Sequence, residues 1–448
     1  MRAQRAAQRD IPAGVSHAGV EGFSHDGRGI ARLDGKTVFI EGALPDEEVS
    51  FRYLRRRREY DEARVLEIHR ASPHRVEPRC SHFVTCGGCA MQHLMPAAQL
   101  VVKQQALLDN LRRIGHVQPV EVLPPLTAPV WGYRRRARLS VRHVPAEGRV
   151  LIGFVGKNTP HVTDTRRCET LDPRVGELIL PLAELLNTLS IADRIPQIEA
   201  AVDEVATVLV LRLLSGPSDA DRKKLSDFER KHAVCFYLQP GSVETAEPLG
   251  GDRVTLSYRL AEWDVQIAFE PGDFIQVNSE INRQLVKRAI ELLQVESRHH
   301  VLDLFCGLGN FTLPLARLAE SVTGVEGEAG LVKRARANAQ RNALNNANFY
   351  QADLFADQSR AIWLRQPYDR LLLDPPRTGA REILDQLGKS GPPRIVYVSC
   401  HPATLARDAG TLVHARRYRL LAAGVLDMFP HTAHVESMAV FTREDTAP

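Results

Sequence analysis

Short apolar strands alternate with helical segments after residue 275, and this alternation limits the possible folds of the 448-residue chain more than any other feature. Strands are predicted at 301–305, 321–326, 349–351, 370–374, 394–400 and 437–441, and helices at 330–342 and from Phe311 onward. Because parallel strands must be joined by crossovers, repeated βα units predict an α/β fold with a Rossmann-like, largely parallel sheet. Ligands bind such sheets at the carboxyl ends of the strands, so candidate site residues are sought there.

Other parts of the chain have different patterns. Short alternating runs between turn signals predict a small β-barrel, and the arginines at 55–58 make it a plausible RNA-binding surface. A helix is predicted at 96–114, ends at Gly115 and is expected to pack on the C-terminal domain. The predicted regions are a disordered tail at 1–14, the β-barrel at 15–72, a mixed α+β central domain at 73–270 and the Rossmann-like domain at 271–448.

Composition restricts the class of protein. Hydrophobic residues make up 44% of the chain and charged residues 25%, as in ordinary globular proteins. There is no run of about 18 apolar residues and no apolar segment typical of a secretory signal, so we expect a cytoplasmic protein without a membrane partner. The net charge is +4, and the basic excess lies before residue 171. This distribution favours an anionic partner such as nucleic acid.

A glycine-containing turn follows the first predicted strand, in the sequence DLFCGLGN at 303–310. Gly307 and Gly309 permit positive φ angles and a close approach of a ligand to the backbone. Glu326 ends the next strand, where a carboxylate can bind ribose hydroxyls, and Asp353 follows the third strand, where it suits an adenine edge. The third glycine of a dinucleotide fingerprint is missing, so S-adenosylmethionine fits better than NAD. The alternatives are a plain tight turn and two helix N-caps.

Two later strands end in sequences with reactive side chains. One is followed by DPPR at 374–377, and the next ends at Cys400. Glu436 opens the last strand and is the candidate general base, with His431 and His434 as rivals. A buried structural thiol and a surface acid are the alternatives. A covalent mechanism of methyl transfer needs a thiol, a base and a bound S-adenosylmethionine at one strand edge.

Three of the seven cysteines are close together in the sequence, namely Cys80, Cys86 and Cys89, and Cys168 is distant. An odd number of cysteines in a reducing compartment does not predict a disulfide framework. Structural zinc sites usually have two short ligand pairs, whereas a three-plus-one spacing is common in iron–sulfur proteins. The spacing therefore favours an iron–sulfur cluster, with zinc as the alternative.

These motifs resemble the RNA uracil-C5-methyltransferase family. The resemblance is carried by DPPR, Ser399-Cys400 and the FP-x3-HVE sequence at 429–436. The cysteine cluster behind an N-terminal barrel resembles the members that act on 23S ribosomal RNA. The resemblance implies that the barrel is a TRAM domain, that Cys400 is the nucleophile and that Glu436 is the base. It also implies S-adenosylmethionine contacts from Gln276, Phe305, Asn310, Glu326, Asp353 and Asp374, and a [4Fe–4S] cluster held by Cys80, Cys86, Cys89 and Cys168.

The implied reaction has a chemical reason. Carbon 5 of uracil is a poor nucleophile until a thiolate adds at carbon 6, and a base must afterwards remove the proton from carbon 5. A uridine buried in a helix must also be flipped out of its stack. The barrel is expected to bind the RNA together with a basic run near Trp131 and Tyr133, whose members are Arg134, Arg135, Arg136, Arg138 and Arg142.

Two other functions stay open at this point. The first is methylation of a uridine in transfer RNA by the same chemistry. The second is an iron–sulfur RNA-binding protein whose methyltransferase fold is inactive. The barrel and the cysteine cluster argue against the first, and the combination of Cys400 with Glu436 argues against the second. The sequence predicts no obligate protein partner.

Overall fold

The computed structural model describes residues 14–24, 26–387 and 391–443. The predicted tail at 1–14 therefore lies, apart from Gly14, outside the described residues. The chain forms two compact units. The first unit contains the described residues up to Val84, with Gly88–Ala106 and Phe429–His434, and the second contains Thr85–Gly87, Leu107–Met428 and the described residues from Val435 onward. The predicted domain boundaries at 72 and 270 stay predictions.

A six-stranded sheet forms most of the first unit, in the order β1-β5-β6-β4-β3-β2. Its strands are β1 (Ser16–Gly19), β2 (Gly22–Phe23), β3 (Arg28–Leu33), β4 (Lys36–Glu41), β5 (Glu48–Arg56) and β6 (Tyr60–Arg70). All neighbours are antiparallel except β4 and β6. Val38 and Ile40 lie on the same buried face of β4, as the period of two in a strand requires, and share an apolar core with Phe51 of β5.

A buried ion pair holds the end of this sheet. Glu47 is fully buried, and its Oε1 accepts a hydrogen bond of 2.6 Å from Nε of Arg75. Burial would raise the pKa of Glu47, but hydrogen bonds from Arg75 and from the backbone of Leu44 and Ser72 lower it below its usual value. Because a buried carboxylate is tolerated only when its acceptor sites are used, this pair fixes the chain after β6.

The middle of the chain forms a second six-stranded sheet and a hairpin. The elements are α1 (Pro96–Arg113), β7 (Glu121–Val122), β8 (Arg136–Val144), β9 (Arg149–Gly153), α2 (Pro173–Gly176), α3 (Ile179–Asn187), β10 (Gln197–Val202), β11 (Thr207–Arg212), α4 (Asp219–His232), β12 (Cys235–Gln239), β13 (Glu247–Pro248), β14 (Leu256–Leu260) and β15 (Val265–Phe269). The sheet order is β13-β12-β11-β10-β8-β9, and β14 pairs with β15. Leu182 and Leu186 of α3 share a core with Leu209 and Phe236 of the sheet.

The rest of the second unit has the predicted α/β organisation. Its elements are α5 (Ser279–Leu293), β16 (His300–Leu304), α6 (Thr312–Ala316), β17 (Ser321–Glu326), α7 (Ala329–Arg341), β18 (Ala347–Gln351), β19 (Arg370–Leu373), α8 (Arg381–Gln386), β20 (Arg394–Ser399), α9 (Pro402–Gly410), β21 (Tyr418–Leu426) and β22 (Glu436–Arg443). Within the described residues these seven strands and β7 form an eight-stranded sheet in the order β18-β17-β16-β19-β20-β22-β21-β7. β22 runs antiparallel to both of its neighbours, and the other pairs are parallel. The predicted α/β class is confirmed.

The strand order changes direction between β16 and β19, which is where open α/β sheets bind ligands. The predicted strand at 301–305 ends one residue early, at Leu304. Phe305 has φ = +64°, which no strand residue adopts, so it begins the following turn. Among the described residues, no helix is both long enough and apolar enough to cross a membrane.

Gly115 lies where the chain turns after α1, in close contact with α9. A Cβ atom at this position would lie 2.3 Å from the carbonyl oxygen of Ala406. We therefore expect Gly115→Ala to lower the free energy of unfolding by about 1–3 kcal/mol, because either the turn or helix α9 must shift to accept the methyl group. Gly216→Ala is the matched control, since nothing lies within 4 Å of its added Cβ. Urea unfolding followed by circular dichroism measures both, and equal midpoints would contradict the contact.

Candidate active site

The turn after β16 has an unusual backbone. Phe305, Gly307 and Gly309 have φ angles of +64°, +54° and +93°. The backbone N–H of Phe305 donates to the carbonyl of Val325 at 2.9 Å, so the turn is tied to the neighbouring strand. Glycine adopts positive φ at little cost, whereas Phe305 adopts it only because the surrounding structure holds it there. This turn thus provides a shaped backbone at the carboxyl end of the first strand.

Glu326 and Asp353 stand at the ends of the two adjacent strands. One oxygen of Glu326 accepts from the N–H of Gly307 at 3.1 Å, and the other accepts from the N–H of Glu328 at 3.0 Å. Asp353 is exposed. The rings of Phe305 and Phe355 are 5.8 Å apart between centroids. Two aromatic rings beside two carboxylates suit a nucleoside, whose base stacks and whose hydroxyls donate.

Asn310 and Gln276 are held by residues that the sequence did not single out for this purpose. The amides of Asn310 and Asn282 exchange two hydrogen bonds, of 2.9 and 3.0 Å, and Oδ1 of Asn310 also accepts from the hydroxyl of Tyr258 at 2.9 Å. The backbone carbonyl of Gln276 accepts from Nε of Arg135 at 3.0 Å. These bonds orient the side-chain amide of Asn310 and hold the backbone at Gln276.

Arg135 was expected in a basic run facing RNA, and for this residue the expectation is wrong. Its side chain is only 7% exposed, and its guanidinium lies 4.6 Å from the centroid of the Tyr258 ring. Burial lowers the pKa of Arg135. A run of arginines does not reveal which member turns inward, because that depends on the carbonyl of Gln276, which is distant in the sequence.

Two acidic side chains lie at the switch point without a cation in hydrogen-bond contact among the described residues. Asp303 is fully buried, its Oδ2 accepts from the Thr312 hydroxyl at 2.5 Å, and its Oδ1 has no partner there. Burial, with the charges of Asp374 and Glu326, raises the pKa of Asp303 to about 7 despite the bond from Thr312. Burial also raises the pKa of Asp374 to about 7. Such a site favours a positively charged ligand.

Strand register brings Cys400 opposite Glu436. Ser399 is the partner of Ser437 in the antiparallel pair of β20 with β22, and the hydroxyl of Ser437 donates to the carbonyl of Ser399 at 3.1 Å. Cys400 and Glu436 are the next residues along this pair. On the other side, Leu373 is the partner of Tyr397, so Asp374 follows β19 beside β20. The three predicted residues therefore meet at one edge of the sheet.

The environment keeps the thiol of Cys400 protonated. Burial, followed by the charges of Glu436 and Asp374, raises the pKa of Cys400 to about 11. Glu436 is 3% exposed, and burial together with Asp374 raises its pKa well above the usual value. A carboxylate that is hard to ionise becomes a strong base once it is ionised. The pair is thus suited to exchanging a proton with a ligand held between them.

Arg377 is the last residue of the DPPR motif, and no role was predicted for it from the sequence. Its charge opposes the shifts at both partners, lowering the pKa of Cys400 and of Glu436. The available signal was a single basic residue directly after an acidic loop at a strand end. A cation near a developing thiolate stabilises it, so Arg377 can assist the nucleophile.

His431, a rival base in the sequence analysis, has a structural role in the first unit. Its side chain is 2% exposed, its Nδ1 lies 3.2 Å from Nε2 of Gln99, and its carbonyl accepts from the N–H groups of Ala90 and Met91. These contacts hold a turn in which His431 has φ = +65°.

The predicted cluster cysteines form no disulfide. In the second unit, Cys86 forms an isolated β-bridge with Gly156, and Sγ of Cys168 lies 3.4 Å from the hydroxyl oxygen of Thr170. Across residues 14–24, 26–387 and 391–443, no group of three or more His, Cys, Asp or Glu side chains could hold a metal ion. The iron–sulfur cluster stays a prediction.

The raised pKa of Cys400 predicts the pH dependence of its alkylation. Only the thiolate reacts, so the rate of modification by iodoacetamide should rise about tenfold per pH unit until the pH approaches 11. Glu436→Gln removes one of the opposing charges and should move the inflection to lower pH. Mass spectrometry of the modified peptide measures the rate, with Cys400→Ser as the blank. An inflection near the ordinary value of about 8.5 would contradict the expected burial.

Comparisons with known proteins agree with this architecture. The family described as tRNA (uracil-5-)-methyltransferase matches residues 132–444, and the TRAM domain family matches residues 17–66. A protein from Alkalilimnicola ehrlichii, named 23S rRNA (uracil(1939)-C(5))-methyltransferase RlmD, is 52% identical over 441 residues, covering 98% of each chain. A protein of the same name from Stenotrophomonas maltophilia strain R551-3 is 52% identical over 424 residues, covering 94% of this chain and 96% of its own.

A solved structure has the same fold. The Pyrococcus abyssi tRNA (uracil-54, C5)-methyltransferase, in complex with S-adenosyl-L-homocysteine, superposes with a TM-score of 0.71 at 24% identity and covers 95% of this chain and 100% of its own. The family match and the relatives at 52% identity show that the chain belongs to the RNA uracil-C5-methyltransferase family.

Proposed function

We propose that this protein transfers a methyl group from S-adenosylmethionine to carbon 5 of a uridine in 23S ribosomal RNA and forms 5-methyluridine. The observation that carries the proposal is the pairing of β20 with β22, which sets Cys400 opposite Glu436 beside Asp374. The relatives' names give uracil 1939 as their target, and we propose that this protein methylates the corresponding base. Ribosomal RNA is present in the cytoplasm, where we propose that the reaction takes place.

In the proposed reaction the thiol of Cys400 first loses its proton to solvent in the complete complex, and the resulting thiolate adds to carbon 6 of the uracil. The electron pair of the carbon 5–carbon 6 double bond moves into an enolate at the carbon 4 oxygen. Carbon 5 then attacks the methyl carbon, and the carbon–sulfur bond of the sulfonium breaks to leave S-adenosylhomocysteine. Glu436, in its ionised form, removes the proton from carbon 5, the bond between carbon 6 and Sγ breaks and the thiolate returns. Glu436 then releases the proton to solvent. One nucleophile, one base and one donor complete the cycle.

The charges around Cys400 support the proposal that its thiol ionises only when substrate and donor are both bound. With burial and two carboxylates nearby, the thiol of the free protein stays protonated at neutral pH. Arg377 contributes the opposing positive charge. A bound sulfonium would add a second positive charge near Asp374, which favours ionisation of the thiol at the point where substrate and donor are both present. This arrangement would protect the nucleophile from reactions without substrate.

We propose that the donor occupies the edge formed by the ends of β16, β17, β18 and β19. Phe305 would stack on the adenine, while Glu326 would accept from the ribose and Asp353 from the base. The acidic switch point with Asp374 would attract the sulfonium. Gln276 and Asn310 would contact the methionine part. The amide of Asn310 is already oriented by Asn282 and Tyr258, and the backbone carbonyl of Gln276 is held by Arg135.

RNA recognition is proposed to involve the first unit. The TRAM family match covers residues 17–66, and the described strands of this region carry the arginines of β5. The target uridine would be flipped out of its stack, because the thiol of Cys400 is half-buried and a base inside a helix could not reach it. We propose that purified protein, RNA and donor suffice for the reaction.

Substitutions at the two central residues should have different effects. Cys400→Ala should abolish both methylation of unmodified 23S ribosomal RNA and the covalent adduct with 5-fluorouridine RNA, because both need the sulfur. Glu436→Gln should lower the methylation rate by about 10²–10⁴-fold while leaving adduct formation possible, since the base acts after the bond to carbon 6 has formed. Tritium transfer from labelled donor and denaturing gels measure the two outcomes.

The same assay compares substrates. Wild-type protein should methylate unmodified 23S ribosomal RNA, with the product mapped by mass spectrometry, and leave transfer RNA unchanged. Methylation of transfer RNA alone would replace the proposed substrate. Wild-type protein that neither methylates RNA nor forms an adduct would favour an inactive RNA-binding protein and would overturn the proposed function.

We also propose that Cys80, Cys86, Cys89 and Cys168 hold a [4Fe–4S] cluster. The support is the chemistry and spacing of the donor set, because four thiolates in a three-plus-one arrangement are the ligands that such clusters use. The cluster would cross-link distant parts of the chain when bound, and no step of the methyl transfer depends on it.

Iron and sulfide analysis of anaerobically purified protein tests this cluster. We expect about four iron atoms per chain in the wild type. Cys168→Ser should lose a large part of the iron, because it removes one of the four ligands. Cys235→Ser, at a partly exposed cysteine in β12, should retain it. Zinc in place of iron, or equal iron content in both variants, would contradict the proposal.

A further inference from the structure

The loop that follows β19 carries both Asp374 and Arg377 but has no regular secondary structure of its own. Its backbone is held by side chains of α9. The hydroxyl of Thr404 donates to the carbonyl of Arg377 at 3.1 Å, and Nη2 of Arg407 donates to the carbonyl of Thr378 at 2.9 Å. Helix α9 therefore determines the course of a loop that lies far from it in the sequence.

Asp408 is at the centre of this attachment. It is fully buried, and its Oδ2 accepts from the N–H of Ala380 at 2.8 Å and from the hydroxyl of Tyr397 at 2.7 Å. Its Oδ1 accepts from Nε of Arg407 at 2.8 Å. A buried carboxylate is stable only when its oxygens are paired in this way. One side chain thus joins β20, α9 and the end of the loop.

Tyr397 and Gly379 show how closely these parts fit. Tyr397 is fully buried in β20, and burial together with Asp408 raises its pKa well above the usual value, so its hydroxyl remains a donor. Gly379 has φ = +84°, and a Cβ atom there would lie 2.5 Å from both Nη2 of Arg407 and Oδ2 of Asp408. The loop can pass this close to the ion pair only because it has glycine at this position.

Helix α9 also begins directly after the candidate nucleophile. His401 is its N-cap, and Nδ1 of His401 accepts from the N–H of Thr404 at 3.4 Å. The hydroxyl of Ser399 accepts from the N–H of His401 at 3.2 Å, which shapes the turn that contains Cys400. One short helix therefore supports both the turn of the thiol and the loop with Arg377.

We propose that Asp408 is a positioning residue, which holds the loop after β19 so that Arg377 stands beside Cys400 and Glu436. Because Asp408 is fully buried, it would touch neither substrate nor donor and would act through the loop backbone. The chemical role given to Cys400 rests on the proposed function. The reactivity of its thiol does not, and it can be measured without RNA or donor.

Asp408→Asn is the test. An asparagine keeps the shape but loses the charge that holds Arg407, and its amide nitrogen cannot accept. We expect alkylation of Cys400 by iodoacetamide to become about threefold slower at fixed pH, because the positive charge of Arg377 is no longer held where it stabilises the thiolate. Arg377→Gln should slow the reaction similarly, and the double variant should be no slower than either single variant.

The matched control is Asp221→Asn. Asp221 is another buried carboxylate of the same unit, 1% exposed, and it accepts hydrogen bonds from Ser190 and Ser218. Asp221→Asn should lower the free energy of unfolding about as much as Asp408→Asn does, and it should leave the alkylation rate of Cys400 unchanged. If Asp408→Asn does not fold, Tyr397→Phe removes only one bond to the carboxylate, and it should slow alkylation in the same direction by a smaller factor.

The possible results distinguish the positioning role of Asp408 from the proposed function. Unchanged alkylation in a folded Asp408→Asn or Tyr397→Phe variant, or slowing that adds fully to that of Arg377→Gln, would overturn the positioning role. Failure of the wild type to methylate RNA, with the alkylation pattern as expected, would overturn the proposed function and leave the positioning role intact.

Discussion

The antiparallel pairing of β20 with β22 is the interaction on which the candidate site depends. It places the residue after one strand against the residue that opens the other, so Cys400 meets Glu436 although 35 residues separate them in the sequence. A shift of the pairing by one residue would turn Glu436 to the opposite face, because side chains alternate along a strand. Parallel β19 on the other side adds Asp374. The register of β20 with its two neighbouring strands thus brings these three side chains together.

The candidate site contains buried acidic side chains, and their ionisation lowers the stability of the folded protein. The pKa values of Asp303 and Asp374 rise from 3.8 to about 7 in the folded protein. The folded state therefore binds more protons than the unfolded state between these values, and the two acids make the protein less stable as the pH rises from about 4 to 7. A cationic ligand would offset this loss, which is a common property of binding sites.

Much of the site was predictable from local sequence. The glycine turn, the DPPR loop and the thiol at a strand end are short patterns whose position after apolar strands predicts their location at one edge. The burial of Arg135, the positive φ of Phe305 and the attachment of the loop to Asp408 were not predictable in this way. Each depends on partners distant in the sequence, namely Gln276, Val325 and Ala380.

The sequence by itself determined the α/β class, the residue types available for chemistry and the strand that each one follows, because periodicity and turn residues act over a few positions. Only the tertiary structure decided which arginine turns inward, which acids lie close enough to raise the pKa of the thiol, and which helix holds the loop of Arg377. Those properties arise from burial and from distances between strands and helices, and both are set when the whole sheet assembles.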